Sequence, residues 1–407
     1  MTVQEQGQEQ TARYRDVFAD PVFRTLFGSR TLAIAANTLR MLALSVLVFE
    51  TTGSSLLTAV AFGIGFVPQV LGGTLLGSLA DRLPARGLIV GGTLLDAASA
   101  LTLGLVPMPV GVALAQVAVV SVFSPVFQGA ANRLIAESLT GDAYVLGRSL
   151  SSVSSAGAQL LGLAVGGFAV AAMGPTHALL VSAAAQLVAA AWARLGLPYI
   201  GSTHPTRGDA VRRSLQVTAR LWSDRAVRRL LLVQWVPPAF ITGAESVMVP
   251  YTVERGFPDG SVGVLLAAVP VGMLLGNLAV GRLLRPATRE RLVPGMLVVL
   301  GIPLLALAAP IPLWVTVAML FVVGAGFSYS LGVQRAFIEA VEPELRGQAF
   351  ALNFTGLMTL QGIGPVASGV IADLSQATVS MAVMGVGTVV AGLVWARVMS
   401  PRTVKVR

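Results

Sequence analysis

The stretch GGTLLGSLADRLP, residues 72–84, decides the fold, because an apolar, glycine-rich run stops abruptly at Asp81 and Arg82. Its first part has the composition of a helix inside a membrane, and the acid, base and proline that follow mark the exit from it. The whole chain agrees: 55% of the 407 residues are hydrophobic and 12% are charged. About 25% charged residues is usual for a soluble domain. The sequence therefore predicts an integral membrane protein.

Twelve apolar runs are long enough to cross a bilayer, for which a helix needs about 20 residues. The predicted spans are 26–49, 57–80, 87–107, 110–134, 146–173, 176–197, 227–251, 262–284, 292–309, 313–337, 349–374 and 378–399. They divide the chain into an N-terminal segment (1–25), a six-helix bundle (26–198), a linker (199–226), a second six-helix bundle (227–399) and a tail (400–407).

The arginines give an independent test of these spans, because their sidedness was not used to draw them. With the N-terminus in the cytoplasm, nearly all basic residues between spans fall on the cytoplasmic side, and the outer loops hold only Arg255. Positively charged loops stay inside. The first 23 residues also lack the apolar core of a signal peptide. We expect a multi-pass protein of the bacterial inner membrane with both termini in the cytoplasm.

Three stretches of the first half recur in the second half, in the same order and about 200 residues later. They are GTLLGSLA at 73–80 and GMLLGNLA at 272–279, FSPVFQGAANRLIAE at 123–137 and FSYSLGVQRAFIE at 327–339, and GLAVGG at 162–167 and GPVASG at 364–369. The second pair places Arg133 against Arg335. Such internal repeats indicate a tandem duplication. The predicted fold is all-α, with twelve transmembrane helices as two six-helix pseudo-repeats.

The loop after the second span resembles the loop signature of the Major Facilitator Superfamily of secondary transporters. Here the signature reads Gly77, Asp81, Arg82 and Arg86, with Pro84 where the family usually has glycine or a base. The resemblance implies two bundles around a central cavity. It also implies a latch, in which Asp81 meets the positive N-terminal end of span eleven and favours the state closed to the cytoplasm. The alternative is that the arginines are only orientation signals.

Glycines at helical spacing predict close contacts between spans, because they leave no side chain between two backbones. The candidate packing residues are Gly73, Gly162, Gly166, Gly272, Gly276, Gly364 and Pro365. The glycines of span five and the Gly-Pro of span eleven resemble a pattern of family members that exchange drugs for protons, although span five lacks the proline. The alternative is close packing with no bearing on the direction of transport.

Four charged residues inside predicted spans are weighed as candidates, because each costs about 3 kcal/mol on insertion scales. Arg30 lies about one turn inside span one and is expected to extend to the cytoplasmic surface. Arg40 is near the middle of span one, with Asn37 one turn earlier, Glu245 is in span seven, and Asp96 is in span three. Spans one and seven line the cavity of the resembled fold. If Arg40 and Glu245 pair, the carboxylate can exchange a proton for substrate; if not, Arg40 suits an anion and Glu245 a cation. We expect Asp96 to anchor helix packing.

Uncharged polar side chains extend the predicted cavity. These are Gln234, Asn277, Asn353 and Gln361, and the alternative is that they only bond helices together. Trp235 and Phe240 flank Pro237 and Pro238, a pair expected to kink span seven, and could form an apolar binding wall.

Several classes of function are disfavoured. The only lysine is Lys405, so no phosphate-binding loop of an ATPase is present, and without cysteine there is no thiolate site. The two histidines, His177 and His204, fall on opposite sides of the membrane, which disfavours a zinc pair. The net charge of +9 sits in clusters between spans and does not indicate nucleic acid. We therefore expect that this protein is not an enzyme.

The sequence is best explained by a secondary transporter that exports small amphipathic drug-like or secondary-metabolite compounds by alternating access. Its energy source is expected to be the proton gradient, with no cofactor. Its expected partners are the lipid bilayer, a small-molecule substrate and protons, and the protein is expected to be a monomer. The alternatives are a proton symporter or facilitator that imports a small nutrient and, in another class, a membrane receptor or scaffold that transports nothing.

Overall fold

A computed structural model describes residues 14–76, 79–199, 210–342 and 345–398, and within these ranges all regular secondary structure is helical. The helices are α1 (Tyr14–Ala19), α2 (Pro21–Thr52), α3 (Ser55–Gly63), α4 (Phe66–Leu76), α5 (Leu79–Arg82), α6 (Ala85–Leu105), α7 (Val110–Ser138), α8 (Gly141–Gly196), α9 (Ala210–Ser223), α10 (Arg225–Ser246), α11 (Met248–Glu254), α12 (Ser261–Leu283), α13 (Pro286–Ala306), α14 (Leu313–Gly326), α15 (Tyr329–Ala340), α16 (Arg346–Leu374) and α17 (Ala377–Val398).

The described helices confirm an all-helical membrane fold. Nine stretches of the described chain are long and apolar enough to cross a bilayer, with α3 and α4 counted as one stretch and α14 and α15 as another. The number is ten if α10 and α11, which meet at a 47° bend, form one span. Helix α8 has 56 residues and contains one break, at Gly174 with φ +80°, directly before Pro175. At 1.5 Å per residue a straight helix of that length would exceed 80 Å, far more than the roughly 30 Å hydrocarbon core.

The bend of the seventh predicted span falls later than the sequence suggested. Helix α10 continues through Pro237 and Pro238, and the break comes at Val247. Pro250 explains the position, because it removes the hydrogen bond to the carbonyl of Ser246, four residues earlier, and its ring crowds that carbonyl. The helix is therefore not broken at Pro237 and Pro238, and the break of this span lies at Val247.

Connections between the spans lie at two ends of the bundle. One, here called the arginine-rich end, holds the connections at 83–84, 139–140 and 284–285 and residues 341–342, with Arg82, Arg86, Arg285 and Arg289 beside them. The other, the arginine-poor end, holds those at 53–54, 106–109, 255–260, 307–312 and 375–376, where the described arginine is Arg255. Helix α9 lies inside the predicted linker 199–226. Residues 1–13 and the predicted tail 400–407 lie outside the described ranges.

The helices pack as two halves with differently organised cores. In the first half α2 and α6 pack on α8, and in the second α10 packs on α16 and α13 on α17. The first half has two separate buried clusters, one around Leu26 near the arginine-rich end and one around Leu44 near the arginine-poor end. The second half has one continuous core, around Leu297 and Tyr329, and this core extends to Leu42, Phe62 and Leu163 of the first half. The halves meet mainly through α3 and α4 against α16, and α8 against α12.

Candidate functional site

A cavity of about 610 Å³ lies between the two halves. It is lined by residues of α2, α3, α4, α6, α7 and α8 from the first half and of α10, α12 and α16 from the second. Leu26 and Arg30 near the start of α2, and Gln128 and Ala131 near the end of α7, extend it toward the arginine-rich end.

On the wall formed by the first half, Arg40 has two side-chain partners. Its Nη2 lies 3.0 Å from Oδ1 of Asp96 on α6 and donates a 2.6 Å hydrogen bond to Oδ1 of Asn37, one turn earlier on α2. The Arg40 side chain is 7% exposed and that of Asp96 23%. The question left open by the sequence, whether Arg40 pairs with Glu245, is answered here by a different partner, Asp96.

On the opposite wall, Glu245 lies near the end of α10 and faces the cavity. Among the described residues its carboxylate has no ion-pair or hydrogen-bond partner. Thr242, one turn earlier, also lines the cavity and accepts a 3.2 Å hydrogen bond from Nε2 of Gln361 on α16. This wall therefore presents a lone carboxylate beside a small polar pair.

Aromatic and sulfur-containing side chains make up much of the remaining lining. Phe62, Phe66 and Phe127 come from the first half, and Phe354 and Met358 from the second. A cavity of mainly apolar surface with a few placed polar groups is the usual form of a site for a small organic molecule.

Trp235 and two of the predicted polar residues lie away from the cavity and bond to one another. Nε1 of Trp235 donates to Oδ1 of Asn353 at 2.9 Å, and Nδ2 of Asn353 donates to Oε1 of Gln234 at 3.1 Å. The Trp235 ring stacks on Trp222 of α9 with centroids 5.5 Å apart. It fits against Gly356, where a Cβ would come within 2.2 Å of the ring. This cluster joins α9, α10 and α16, and the structure does not bring it to the cavity wall as the sequence suggested.

Asn277 also lies outside the cavity lining. Its Oδ1 is buried and has no hydrogen-bond partner among the described residues. The neighbouring Gly276 packs against α14, where a Cβ would lie 2.8 Å from Cα of Ala325. Gly272 also packs against α14, where a Cβ would lie 2.0 Å from the carbonyl oxygen of Phe321.

The equivalent close contact in the first half is made one residue earlier than the sequence repeat suggested. A Cβ on Gly72 would lie 1.6 Å from the carbonyl oxygen of Val122 on α7. A Cβ on Gly73 would have Pro125 as its nearest neighbour, at an ordinary 3.7 Å. Gly72, and not Gly73, therefore faces the neighbouring backbone.

The other packing candidates lie at tight helix contacts. A Cβ would come within 2.6 Å of the Ala35 carbonyl oxygen at Gly162, 3.2 Å of Leu39 at Gly166 and 2.1 Å of the Ala239 carbonyl oxygen at Gly364. Pro365 is buried against Gly63 of α3, so it joins the two halves.

The structure describes only two residues of the predicted latch in full, Arg82 and Arg86. Gly77 and the side chain of Asp81 lie outside the described part of the chain. Arg82 is exposed, and Arg86 donates to the Arg194 carbonyl oxygen. Arg133 of α7 holds α5 in place, because it donates to the carbonyl oxygens of Ala80 at 2.5 Å and Leu83 at 3.0 Å.

The second half makes the same clamp with a different arginine. Arg289 of α13 donates to the carbonyl oxygens of Gly281 at 2.5 Å and Leu284 at 2.9 Å, at the end of α12. Arg335, the sequence counterpart of Arg133, is 62% exposed and pairs with Glu339 at 2.7 Å on its own helix. The sequence repeat did not point to Arg289, because Arg289 lies on α13, whereas the counterpart of Arg133 in the repeat, Arg335, lies on α15.

Comparisons with known proteins give relatives that are transporters. The chain is 24% identical over 372 residues to the multidrug efflux pump Tap of Mycolicibacterium fortuitum, covering 87% of this chain and 89% of the pump. It is 23% identical to macrolide efflux protein A of Streptococcus pyogenes, covering 86% and 89%.

Solved structures share the fold at low identity. The nucleoside transporter NupG superposes with a TM-score of 0.75 at 15% identity, covering 92% of this chain and 98% of that one. The peptide transporter POT superposes with a TM-score of 0.73 at 13% identity, covering 93% and 94%. The family model described as Major Facilitator Superfamily matches residues 26–337 and 247–407. Together with the two packed halves and the cavity between them, this match shows that the chain belongs to the Major Facilitator Superfamily.

Proposed function

We propose that this protein exports small amphipathic compounds in exchange for protons. The observation that carries the proposal is the lone carboxylate of Glu245, which faces a largely apolar cavity without a partner among the described residues. A charge without a counter-ion at the wall of a largely apolar cavity is costly, so this group favours binding a proton or a cationic group. The similarity to two efflux pumps supports export as the direction.

The proposed topology has twelve spans in two halves of six. Beyond the ten candidates, the break at Gly174 divides α8 into two spans, and α13 supplies the twelfth. The arginine-rich end is proposed to face the cytoplasm of a bacterial inner membrane, with both termini on that side. The protein is proposed to act as a monomer, without a cofactor and without nucleic acid.

With this orientation the cavity extends toward the cytoplasm, and the halves are in contact on the outer side. Gly167 and Gly263 meet there so closely that a Cβ on Gly167 would lie 2.3 Å from Cα of Gly263. An exporter collects its substrate in such a conformation. The latch at Asp81, Arg82 and Arg86 is proposed to favour the opposite conformation, closed to the cytoplasm.

In the proposed cycle, Glu245 releases its proton to the cytoplasm when the cavity faces that side, and a substrate then enters. A cationic group of the substrate lies against the carboxylate, while its apolar body contacts Phe354 and Met358. Arg40 does not compete for Glu245, because Asp96 and Asn37 hold it on the other wall. After the outer side opens, a proton replaces the substrate on Glu245.

The test is proton flux in liposomes that contain the purified protein, with a panel of lipophilic cations, neutral antibiotics and anions. We expect cations to cause proton movement in the wild type and the movement to be lost in Glu245→Gln. The matched control is Glu339→Gln, which removes an exposed carboxylate far along α15 and should leave the flux unchanged. Transport that needs no protons and ignores Glu245→Gln would contradict the proposal.

A further inference from the structure

The carboxylate of Asp373, near the end of α16, binds the first turn of α3 at the arginine-poor end. Oδ1 accepts hydrogen bonds from the backbone N–H of Ser55 at 2.6 Å and of Leu56 at 3.2 Å. Oδ2 accepts one from the hydroxyl of Ser54 at 2.8 Å. These three contacts join residues more than 300 positions apart in the sequence.

These contacts cross from one half of the protein to the other. Helix α3 belongs to the first half and α16 to the second, and the two pack closely beneath Asp373. A Cβ on Gly369 would lie 2.7 Å from Cα of Leu56, and one on Gly63 would lie 2.7 Å from the ring of Pro365. Asp373 therefore sits at the rim of the interface that must separate when the arginine-poor end opens.

The physical reason for the contact is the unpaired start of α3. The first N–H groups of a helix have no partner within it, and together with the helix dipole they attract a negative charge. Hydrogen bonds to an ionised carboxylate are stronger than those between neutral groups. Ser54 already caps the helix from its own half, by accepting from the N–H of Leu57 at 3.1 Å, and Asp373 adds a second cap from the other half.

We infer that Asp373 is an outer latch, a positioning residue that stabilises the conformation closed at the arginine-poor end. Opening that end breaks all three contacts at once, and water must replace the carboxylate. The latch implied at Asp81 would use the same two spans, the second and the eleventh, at their opposite ends and with the roles reversed. The inference does not depend on proton coupling or on the direction of transport, because it concerns only the equilibrium between two conformations.

The chain contains a matched control for this carboxylate. Glu254, also at the arginine-poor end, caps α17 by accepting from the N–H groups of Ala377 at 2.5 Å and Thr378 at 3.1 Å. Both partners belong to the second half. Removing Glu254 thus deletes a helix cap of the same chemistry without breaking a link between the halves.

The experiment measures the distance between the halves directly. The wild-type chain has no cysteine, so spin labels can be placed at single cysteines introduced for Val106 and Ala309, exposed positions on opposite halves at the arginine-poor end. Distances are recorded by double electron–electron resonance in lipid nanodiscs for the parent pair, with Asp373→Ala and with Glu254→Ala. No substrate or proton gradient is needed, so this test stands or fails separately from the proposed function.

With Asp373→Ala we expect the longer-distance population to rise about tenfold relative to the shorter one, as for the loss of a charge-assisted contact. With Glu254→Ala the distribution should match that of the parent. An unchanged distribution in Asp373→Ala overturns the inference, and so does an equal shift in Glu254→Ala. If Asp373→Ala does not fold, Asp373→Asn and Ser54→Ala take its place. Each should shift the distribution in the same direction by less, and no shift in either overturns the inference.

Discussion

The two walls of the cavity differ in whether their charged residues have partners. On the first half, Arg40 is matched by Asp96 and Asn37. On the second half, Glu245 stands beside one continuous core and has no partner among the described residues. A matched pair holds helices together, whereas a lone carboxylate is available for exchange. The two halves therefore differ in how their charged residues are paired, and the exchange role proposed above falls to the unpaired residue.

The largest effect is expected where the matched pair is broken. Asp96→Asn leaves the charge of Arg40 without a counter-ion at a site where the side chain is 7% exposed. We expect the free energy of unfolding to fall by about 3 kcal/mol, as for other buried pairs that lose one partner. Thermal unfolding of the purified protein measures this. Glu245→Gln is the contrast, because it removes a charge that has no partner, and it should not lower the unfolding midpoint.

Equal losses of stability in these two variants would show that the walls do not differ. The double variant Arg40→Gln with Asp96→Asn sharpens the test. It should recover part of the loss, because it leaves no unmatched charge and coupled residues are not additive.

The next effect compares the close contacts of the two halves. Gly72→Ala would place a Cβ 1.6 Å from the Val122 carbonyl oxygen and force α4 away from α7. The expected cost is about 2 kcal/mol, typical of overpacking. Gly73→Ala meets only an ordinary contact at 3.7 Å and should be neutral or stabilising. Unfolding midpoints of the two variants decide between Gly72, as the structure has it, and Gly73, as the sequence repeat suggested.

A smaller effect is expected at the two arginine clamps. Arg133→Gln and Arg289→Gln each remove two hydrogen bonds to backbone carbonyls at the end of a span. We expect each to cost about 1.5 kcal/mol. Hydrogen exchange at residues 79–86 and 281–289 should rise only in the half that carries the substitution. Exchange that rises in both halves would mean that the clamps are not independent.

The smallest effect is expected at Arg335, the sequence counterpart of Arg133. Its side chain is 62% exposed and its partner Glu339 lies on the same helix. Arg335→Gln should leave both the unfolding midpoint and hydrogen exchange unchanged, because exposed ion pairs contribute little. A loss as large as that of Arg133→Gln would restore the symmetry predicted from the repeat.

Most of the fold was accessible from the sequence, and less of the site was. The apolar runs predicted the membrane class, and Arg40, Asn37, Glu245 and Gln361 do line the cavity. The pairing of Arg40 with Asp96 was not predictable, because these residues are 56 positions apart and meet only through the packing of α2 on α6. Trp235 was predicted to line the cavity, but its ring packs against Gly356 of α16. That contact was not predictable either, because it depends on how α10 and α16 pack.

The sequence by itself determined that this protein lies in a lipid bilayer and that one end of its bundle is rich in arginine and the other poor in it. Those properties follow from the transfer of each segment between water and lipid, which depends on local composition. Tertiary structure alone decided which charges meet, which glycine faces its neighbour and which arginine holds each loop. One residue turns a helix by about 100°, so a shift of a single position, as between Gly72 and Gly73, directs the contact elsewhere. Only the packed helices fix that rotation.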